Sequence, residues 1–182
     1  MPTSVHTGSQ RLLRIDCPGV TAQGAAVLQA EWLAWLQQLR GHVAWPERLQ
    51  AVVLGNEVLD AMPVLLLHRV GGVWHERGVV LQGDTLAWAD RPTQQRPPLE
   101  PDGPHDYLTE VHPQAQAFVT SLSERLQRGA AFFIDYGFPE SEYYHPQRHM
   151  GTLMCHQGHR ADANPLVDVG AKDITAHVNF TG

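Results

Sequence analysis

Hydrophobic and polar positions alternate, cluster and repeat along this chain in patterns that assign most of its elements. Residues 11–16 (RLLRID) form a short strand candidate that ends on a carboxylate, and Cys17-Pro18-Gly19 then breaks it. Over residues 24–40 the apolar positions Ala25, Leu28, Trp32, Trp35, Leu36 and Leu39 recur at three- and four-residue spacing, which predicts a helix that Gly41 stops. The two tryptophans read most simply as core packing. Residues 51–55 (AVVLG) are apolar without alternation, as expected of a strand buried on both faces of a parallel sheet. Residues 64–70, 73–80 and 86–88 are strand candidates separated by Gly71-Gly72 and Gly83-Asp84, both hairpin dipeptides. They predict a small antiparallel meander inserted into the parallel fold. Residues 91–104 hold five prolines and read as an irregular connection; the PxxP match at Pro98 and Pro101 belongs to that loop.

His112-Pro113 opens a second helix, with Pro113 suited to a first-turn position. Its apolar face is Ala115, Phe118, Val119, Leu122 and Leu126. Arg125 and Arg128 fall in the expected last turn and Gly129 marks the expected stop. Residues 130–134 (AAFFI) are a second continuous apolar strand, running into Asp135-Tyr136-Gly137. From residue 142 onward periodicity fades into a segment rich in His, Gly, Asp and Pro, which reads as a long functional loop.

Composition narrows the function classes. The 182 residues, 43% hydrophobic and 18% charged, suffice for one globular domain. A net charge of −6 argues against bulk electrostatic binding to nucleic acid or to an anionic membrane. Two cysteines are too few for a disulfide scaffold, so a reducing compartment is the expectation. No apolar run reaches the ~18 residues of a membrane span, and the N-terminus carries no signal-peptide pattern.

Three strand candidates end in acids: Asp16, Glu57 and Asp135. In open α/β sheets ligands bind outside the carboxyl ends of the strands, where acids can bond ribose hydroxyls or hold a cation. The competing reading of each is a helix or turn cap. Glu57 and Asp60 stand three apart, so a helical turn starting there would face both carboxylates the same way and let them clamp a guanidinium or ammonium group, with Asn56 adding an amide. A helix-start cap explains Glu57 but not the whole run.

Four motifs in order then carry a family resemblance: GNEVLDAMPV (55–64), FIDYG (133–137), YYHPQRHMGTLMCH (143–156) and DITAHVNFT (173–181). They resemble the MidA / complex I assembly factor family of class I S-adenosylmethionine-dependent methyltransferases. The match covers roughly residues 45–64 and 107–182. The fold it implies is α/β, a class I methyltransferase Rossmann-like sheet, incomplete, with the antiparallel β-meander of residues 64–104 inserted and residues 138–182 as a substrate-side loop region. The activity it implies is methyl transfer from S-adenosylmethionine, to a protein arginine side chain if this chain acts as the mitochondrial member does on a respiratory complex I subunit. Carried over, Asn56 and Glu57 lie beside the cofactor, with Asp16 near the acid that bonds its ribose; Glu57 and Asp60 are the catalytic candidates. Asp135, Tyr136, Tyr143, Tyr144 and His149 would line the substrate side. The implied location is cytoplasmic in a bacterium or the mitochondrial matrix in a eukaryote, with a protein partner, no nucleic acid and no membrane insertion.

The family's glycine-rich loop after its first strand has no counterpart in residues 1–50, and its closing strands are not matched. The expectation is therefore a domain truncated at both ends, with residues 51–55 an unpaired central edge and cofactor binding weak in the isolated chain. A catalytically inactive family member acting as a binding protein is one alternative. A metal-binding domain is another, since His145, His149, Cys155, His156, His159 and His177 are potential ligands and Cys155-x-x-x-His159 has a plausible spacing. Nucleophilic catalysis by Cys155 lacks a defined base.

Overall fold

A computed structural model describes residues 11–16 and 47–182. The predicted helix over residues 24–40, Cys17 and most of the stretch where a glycine-rich loop would stand lie outside the described residues. The described chain divides into two compact units. One takes residues up to Val58 together with Val119–Ile134; the other takes Leu59–Phe118 and Asp135–Gly182.

The first unit is a three-stranded parallel sheet in the order β1-β2-β7, formed by β1 (Arg11–Asp16), β2 (Leu49–Asn56) and β7 (Leu126–Ile134). The edge expected to be bare at residues 51–55 is instead paired on both sides. Arg11 to Asp16 runs in register with Ala51 to Asn56, and β7 lies along the other side. Burial in β2 alternates rather than covering both faces: Ala51 and Val53 are buried while Val52 and Leu54 are 41% and 43% exposed. The buried face packs on Leu122, Leu126 and Phe133. Leu122 comes from α1 (Pro113–Arg125), which starts at the expected proline. The helix ends earlier than its periodicity suggests, so Arg128 and Gly129 belong to β7. Gly129 is not a helix stop. It sits at φ 136° in the strand, and a Cβ there would stand 1.7 Å from the Ala51 carbonyl oxygen. Only glycine lets the two backbones approach this closely.

The second unit is built on a four-stranded antiparallel sheet in the order β5-β4-β3-β6. The expected meander supplies β3 (Leu65–Val70), β4 (Val73–Gln82) and β5 (Thr85–Pro92). The fourth strand, β6 (Tyr107–Val111), pairs β3 on the side away from β4, an element that no sequence pattern marks. Leu67, Trp74 and Tyr107 form its core. The proline-rich connection is ordered around Arg69, 6% exposed. Its guanidinium donates to the Pro101 and Gly103 carbonyls (2.9 and 2.8 Å) and to Glu100 Oε1 (3.2 Å), which also accepts from Trp74 Nε1 (2.9 Å).

The segment from residue 142 onward is not one long loop, and the elements of the chain's last part begin before it. Those elements are β8 (Gly137–Phe138), α2 (Glu140–Tyr143), β9 (Met154–Gln157), β10 (Arg160–Asp162), β11 (Asp173–Thr175) and β12 (Val178–Asn179). β9 is the centre of a three-stranded sheet between β10 and β11, and β12 pairs β8 in parallel. No helix among the described residues is long and apolar enough to cross a membrane.

Candidate functional site

The parallel sheet brings Asp16, Asn56 and Ile134 into one register at its carboxyl end. Asn56 is exposed there, and Glu57 follows in the left-handed region at φ 51°, its amide donating to the Ile134 carbonyl at 2.8 Å. This bond turns the chain out of the strand and leaves no helical start at Glu57. The turn comes later, over Leu59–Met62, where the Met62 amide donates to the Leu59 carbonyl (3.2 Å). The geometry that would have aligned Glu57 and Asp60 on one helical face is thus replaced by a strand exit and a separate turn.

In the second unit Asp60 is 2% exposed. Its backbone is held from two sides: Asp135 Oδ1 accepts from the Leu59 and Asp60 amides (3.1 and 3.2 Å), and the Asp60 carbonyl accepts from Ala176 (2.9 Å). Asp135 therefore fixes the Leu59–Met62 turn. Tyr136 is 47% exposed, with its ring edge-on to His177 at 6.1 Å. Beside Asp60 lies a cavity of about 250 Å3, walled by Met62, Leu153, Ile174, Thr175 and Ala176.

Tyr143 and Tyr144, expected to line a substrate cleft, are 1% and 2% exposed. They are core anchors, because their rings pack together at 5.0 Å and their hydroxyls find partners inside. The Tyr144 hydroxyl donates to the Glu110 carbonyl (3.3 Å). The Tyr143 hydroxyl donates to Glu110 Oε2 (3.1 Å) and meets His112 Nε2 at 3.0 Å. Since that hydroxyl has one proton, His112 is the donor in the second contact, which assigns its Nε2–H tautomer. Burial drops His112 to about 4, so it is neutral at pH 7. Burial likewise pushes both tyrosines upward, Tyr143 further by the Glu110 charge. His149 is exposed, edge-on to His105 at 5.8 Å, with its carbonyl accepting from Leu108 (2.9 Å).

The centre of this network, Glu110, is absent from the sequence-derived candidates. It is fully buried, and every group that meets its side chain is a donor. Oε1 accepts from the Thr152 and Leu153 amides (2.8 and 3.0 Å); Oε2 accepts from the Tyr143 and Thr152 hydroxyls (3.1 Å each). Gly151, at φ 72°, turns those consecutive amides onto the carboxylate, and a Cβ on it would stand 2.5 Å from Oε1. The family motif contains Gly151-Thr152, which is the one sequence signal of this contact; nothing in TEV (109–111) marks its glutamate as buried.

Among the described residues no three of His, Cys, Asp or Glu converge as a metal site requires. The metal-binding alternative loses its ligand set here: Cys155 is fully buried on β9, while His156 and His159 are exposed.

A parallel α/β sheet with polar groups at its carboxyl end, and an antiparallel sheet feeding a separate polar core, define an α/β protein related to class I methyltransferases. A family profile described as S-adenosyl-L-methionine-dependent methyltransferase matches residues 10–182, and the chain belongs to that family. Two crystal structures of Burkholderia thailandensis proteins are similar to it. One shares 51% identity with a TM-score of 0.69, over 75% of this chain and 38% of that one. The other, bound to S-adenosyl-homocysteine, shares 44% identity with a TM-score of 0.71, over 88% of this chain and 44% of that one. The mitochondrial protein arginine methyltransferase NDUFAF7 homolog of Caenorhabditis elegans is 26% identical over 138 residues, 71% of this chain and 31% of that protein. The chain thus spans less than half the length of each of these relatives.

Proposed function

We propose that the protein transfers a methyl group from S-adenosylmethionine to an arginine side chain of a protein substrate. The observation that carries this is the family match over residues 10–182, together with a relative at 44% identity that holds S-adenosyl-homocysteine. The arginine acceptor draws on the name of the Caenorhabditis elegans relative.

The register of the parallel sheet supports this reading. Asp16 and Asn56 stand side by side at the carboxyl ends of parallel strands, where ribose hydroxyls and an amino acid ammonium are bonded in α/β folds. Glu57 is half-buried next to them. When bound, S-adenosylmethionine supplies an electrophilic methyl on a sulfonium. Transfer to a guanidine nitrogen would leave S-adenosylhomocysteine as product, with the proton lost from that nitrogen passing to solvent or to a carboxylate at the site. The chain's part is alignment, exclusion of water and charge balance. In this reading Glu57 and Asp60 orient the arginine and offset its charge, and a respiratory complex I subunit is the partner. Such a protein works in the bacterial cytoplasm or in the mitochondrial matrix.

Labelled methyl transfer by Glu57→Gln and Asp60→Asn tests the roles, with rates expected to fall at least tenfold. Rates equal to wild type refute them. Calorimetric titration with S-adenosylhomocysteine tests the cofactor; an absence of binding favours instead a non-catalytic binding protein.

A further inference from the structure

Strand β5 is an edge of its sheet, and among the described residues nothing pairs its outer side. Its free backbone groups can be identified. The Thr93 amide donates to the Trp74 carbonyl (2.9 Å), which carries the β4–β5 register one pair beyond His75 and Pro92. Hydrogen-bonded pairs alternate along an antiparallel ladder, so Thr85, Ala87 and Ala89 turn their amides and carbonyls toward β4. Leu86, Trp88 and Asp90 turn theirs outward. Proteins blunt such an edge with charges, proline or a bulge. The half from Thr85 to Ala89 (TLAWA) has neither charge nor proline, and its pairing with β4 runs without a register shift.

A groove of about 650 Å3 lies along this half of the edge. One wall is Leu86 and Trp88; the other is the loop that carries Leu166, Val167 and Val169. Both walls belong to one compact unit. The loop wall is held by its own polar contacts. Lys172 Nζ donates to Asp162 Oδ1 (3.0 Å) and to the Asn164 carbonyl (3.1 Å), and Asn164 Oδ1 accepts from the Leu166 amide (3.1 Å). Leu86, Trp88, Val167 and Val169 are nonetheless 39%, 37%, 50% and 65% exposed. The lining holds one charged side chain, Asp84, which is exposed and makes no ion pair among the described residues.

These features select an occupant. Outward amides and carbonyls are matched by an extended backbone, whereas a helix spends those groups on itself. The apolar walls take apolar side chains at alternate positions, and Asp84 takes a cation at the end beside the turn. A second copy offering its own β5 fits less well. Its sheet would follow that strand into the space where the loop wall stands. Pairing Leu86 with the copy's Trp88 would also set Asp84 against a second Asp90.

We propose that the β5 edge is a docking groove for an extended segment of a partner protein, which adds as a fifth strand. The strand runs antiparallel, as every pairing in this sheet does. Its alternate apolar residues face Leu86 and Trp88, and a basic residue toward its C-terminal end lies opposite Asp84. The groove depends neither on the cofactor nor on the identity of the methyl acceptor.

The test uses the ¹⁵N-labelled full chain and a fluorescein-labelled hexapeptide amide, Thr-Val-Thr-Val-Thr-Lys, whose valines and lysine share one face as a strand. Saturable binding by fluorescence anisotropy is expected, with slowed hydrogen exchange at the Leu86 and Trp88 amides. Methylating the two valine amide nitrogens removes the donors that face β5 and should weaken binding more than tenfold. Leu86→Pro deletes an outward amide while sparing the ladder to β4, and should do the same. Leu86→Ala keeps that amide and should cost no more than a few-fold. Exchanging the lysine for glutamate should weaken binding several-fold in the natural chain and leave it unchanged in Asp84→Asn. If Leu86→Pro fails to fold, the methylated peptide tests the same hydrogen bonds on the unaltered chain. Equal binding of the methylated peptide, or binding without protection of Leu86 and Trp88, overturns the groove. Both amides already protected in the dilute chain alone overturn it in favour of the chain's own residues. Protection that grows with chain concentration, with a dimer in sedimentation, overturns it in favour of a second copy.

Discussion

Strand β2 holds β7 through eight backbone-paired positions, whereas β6 holds residues 143–153 largely through one buried carboxylate. In the parallel sheet the binding is spread along the register, and side chains on its exposed face, such as Val52 and Leu54, contribute little to it. Around Glu110 the binding is concentrated: four donors from three residues meet two oxygens with no solvent to replace them. Distributed contacts tolerate the loss of any one member. A concentrated polar hub does not, because each orphaned buried donor carries its full desolvation cost.

The largest effect should therefore follow from Glu110→Ala, which strands four donors and is expected to cost more than about 3 kcal/mol in urea unfolding. A loss below about 1 kcal/mol, within the scale of a single ordinary hydrogen bond, would mean that the hub is no more concentrated than the sheet. The next probe is pH. His112 is held near 4 in the folded chain against 6.5 for an unperturbed imidazole, so the unfolded chain binds the extra proton first on acidification. Its contribution is complete above pH 6.5 and is lost as pH falls toward 4, about 3 kcal/mol in all at 1.36 kcal/mol per unit. His177 is also lowered by burial and adds a slope of the same sign. His112→Asn should flatten most of that slope; an unchanged slope breaks the assignment.

In the parallel sheet, Gly129→Ala attacks the one point where register depends on a single residue. Adding a Cβ 1.7 Å from the Ala51 oxygen at a positive φ should cost about 2–3 kcal/mol. Val52→Thr on the exposed face of the same sheet should stay within about 0.5 kcal/mol. Equal effects at the two positions would dissolve the distinction between them. Asp90 falls between these two, paired with Arg77 through two contacts of 2.7 and 2.8 Å and held near 2 by that guanidinium. The pair is partly solvated, so Asp90→Asn should cost under about 1 kcal/mol. That contribution is present above pH 3.8 and fades as pH falls through 2.

Local chemistry made the strands and the second helix legible. Arg11–Asp16 forms the expected strand, Gly71-Gly72 closes a hairpin, and Pro113 starts α1. Gly129 was misleading for a physical reason: glycine after a run of helical periodicity signals a stop, and the close approach of Ala51 that requires it comes from 78 positions earlier in the chain. The short β6 follows a proline-rich segment and shows no alternation, so only its pairing with β3 defines it. At the site, the acids after β2 and β7 stood out because strand ends are readable. Glu110 did not, since its partners lie 33 to 43 residues away and no local pattern marks a carboxylate as buried. The resemblance alone implies a substrate-side place for Tyr143 and Tyr144, and no local pattern shows that their hydroxyls are satisfied internally.

Cys155 adds a built-in clock to this arrangement. It sits at 0% exposure in the middle of β9, opposite Asp162 on β10 and Ile174 on β11, and burial pushes its thiol upward. A thiol reagent can reach it only after those strands part. Its alkylation rate, counted separately from that of Cys17 by peptide mass, thus times the opening of the small sheet that carries Ile174, and does so without any foreign label.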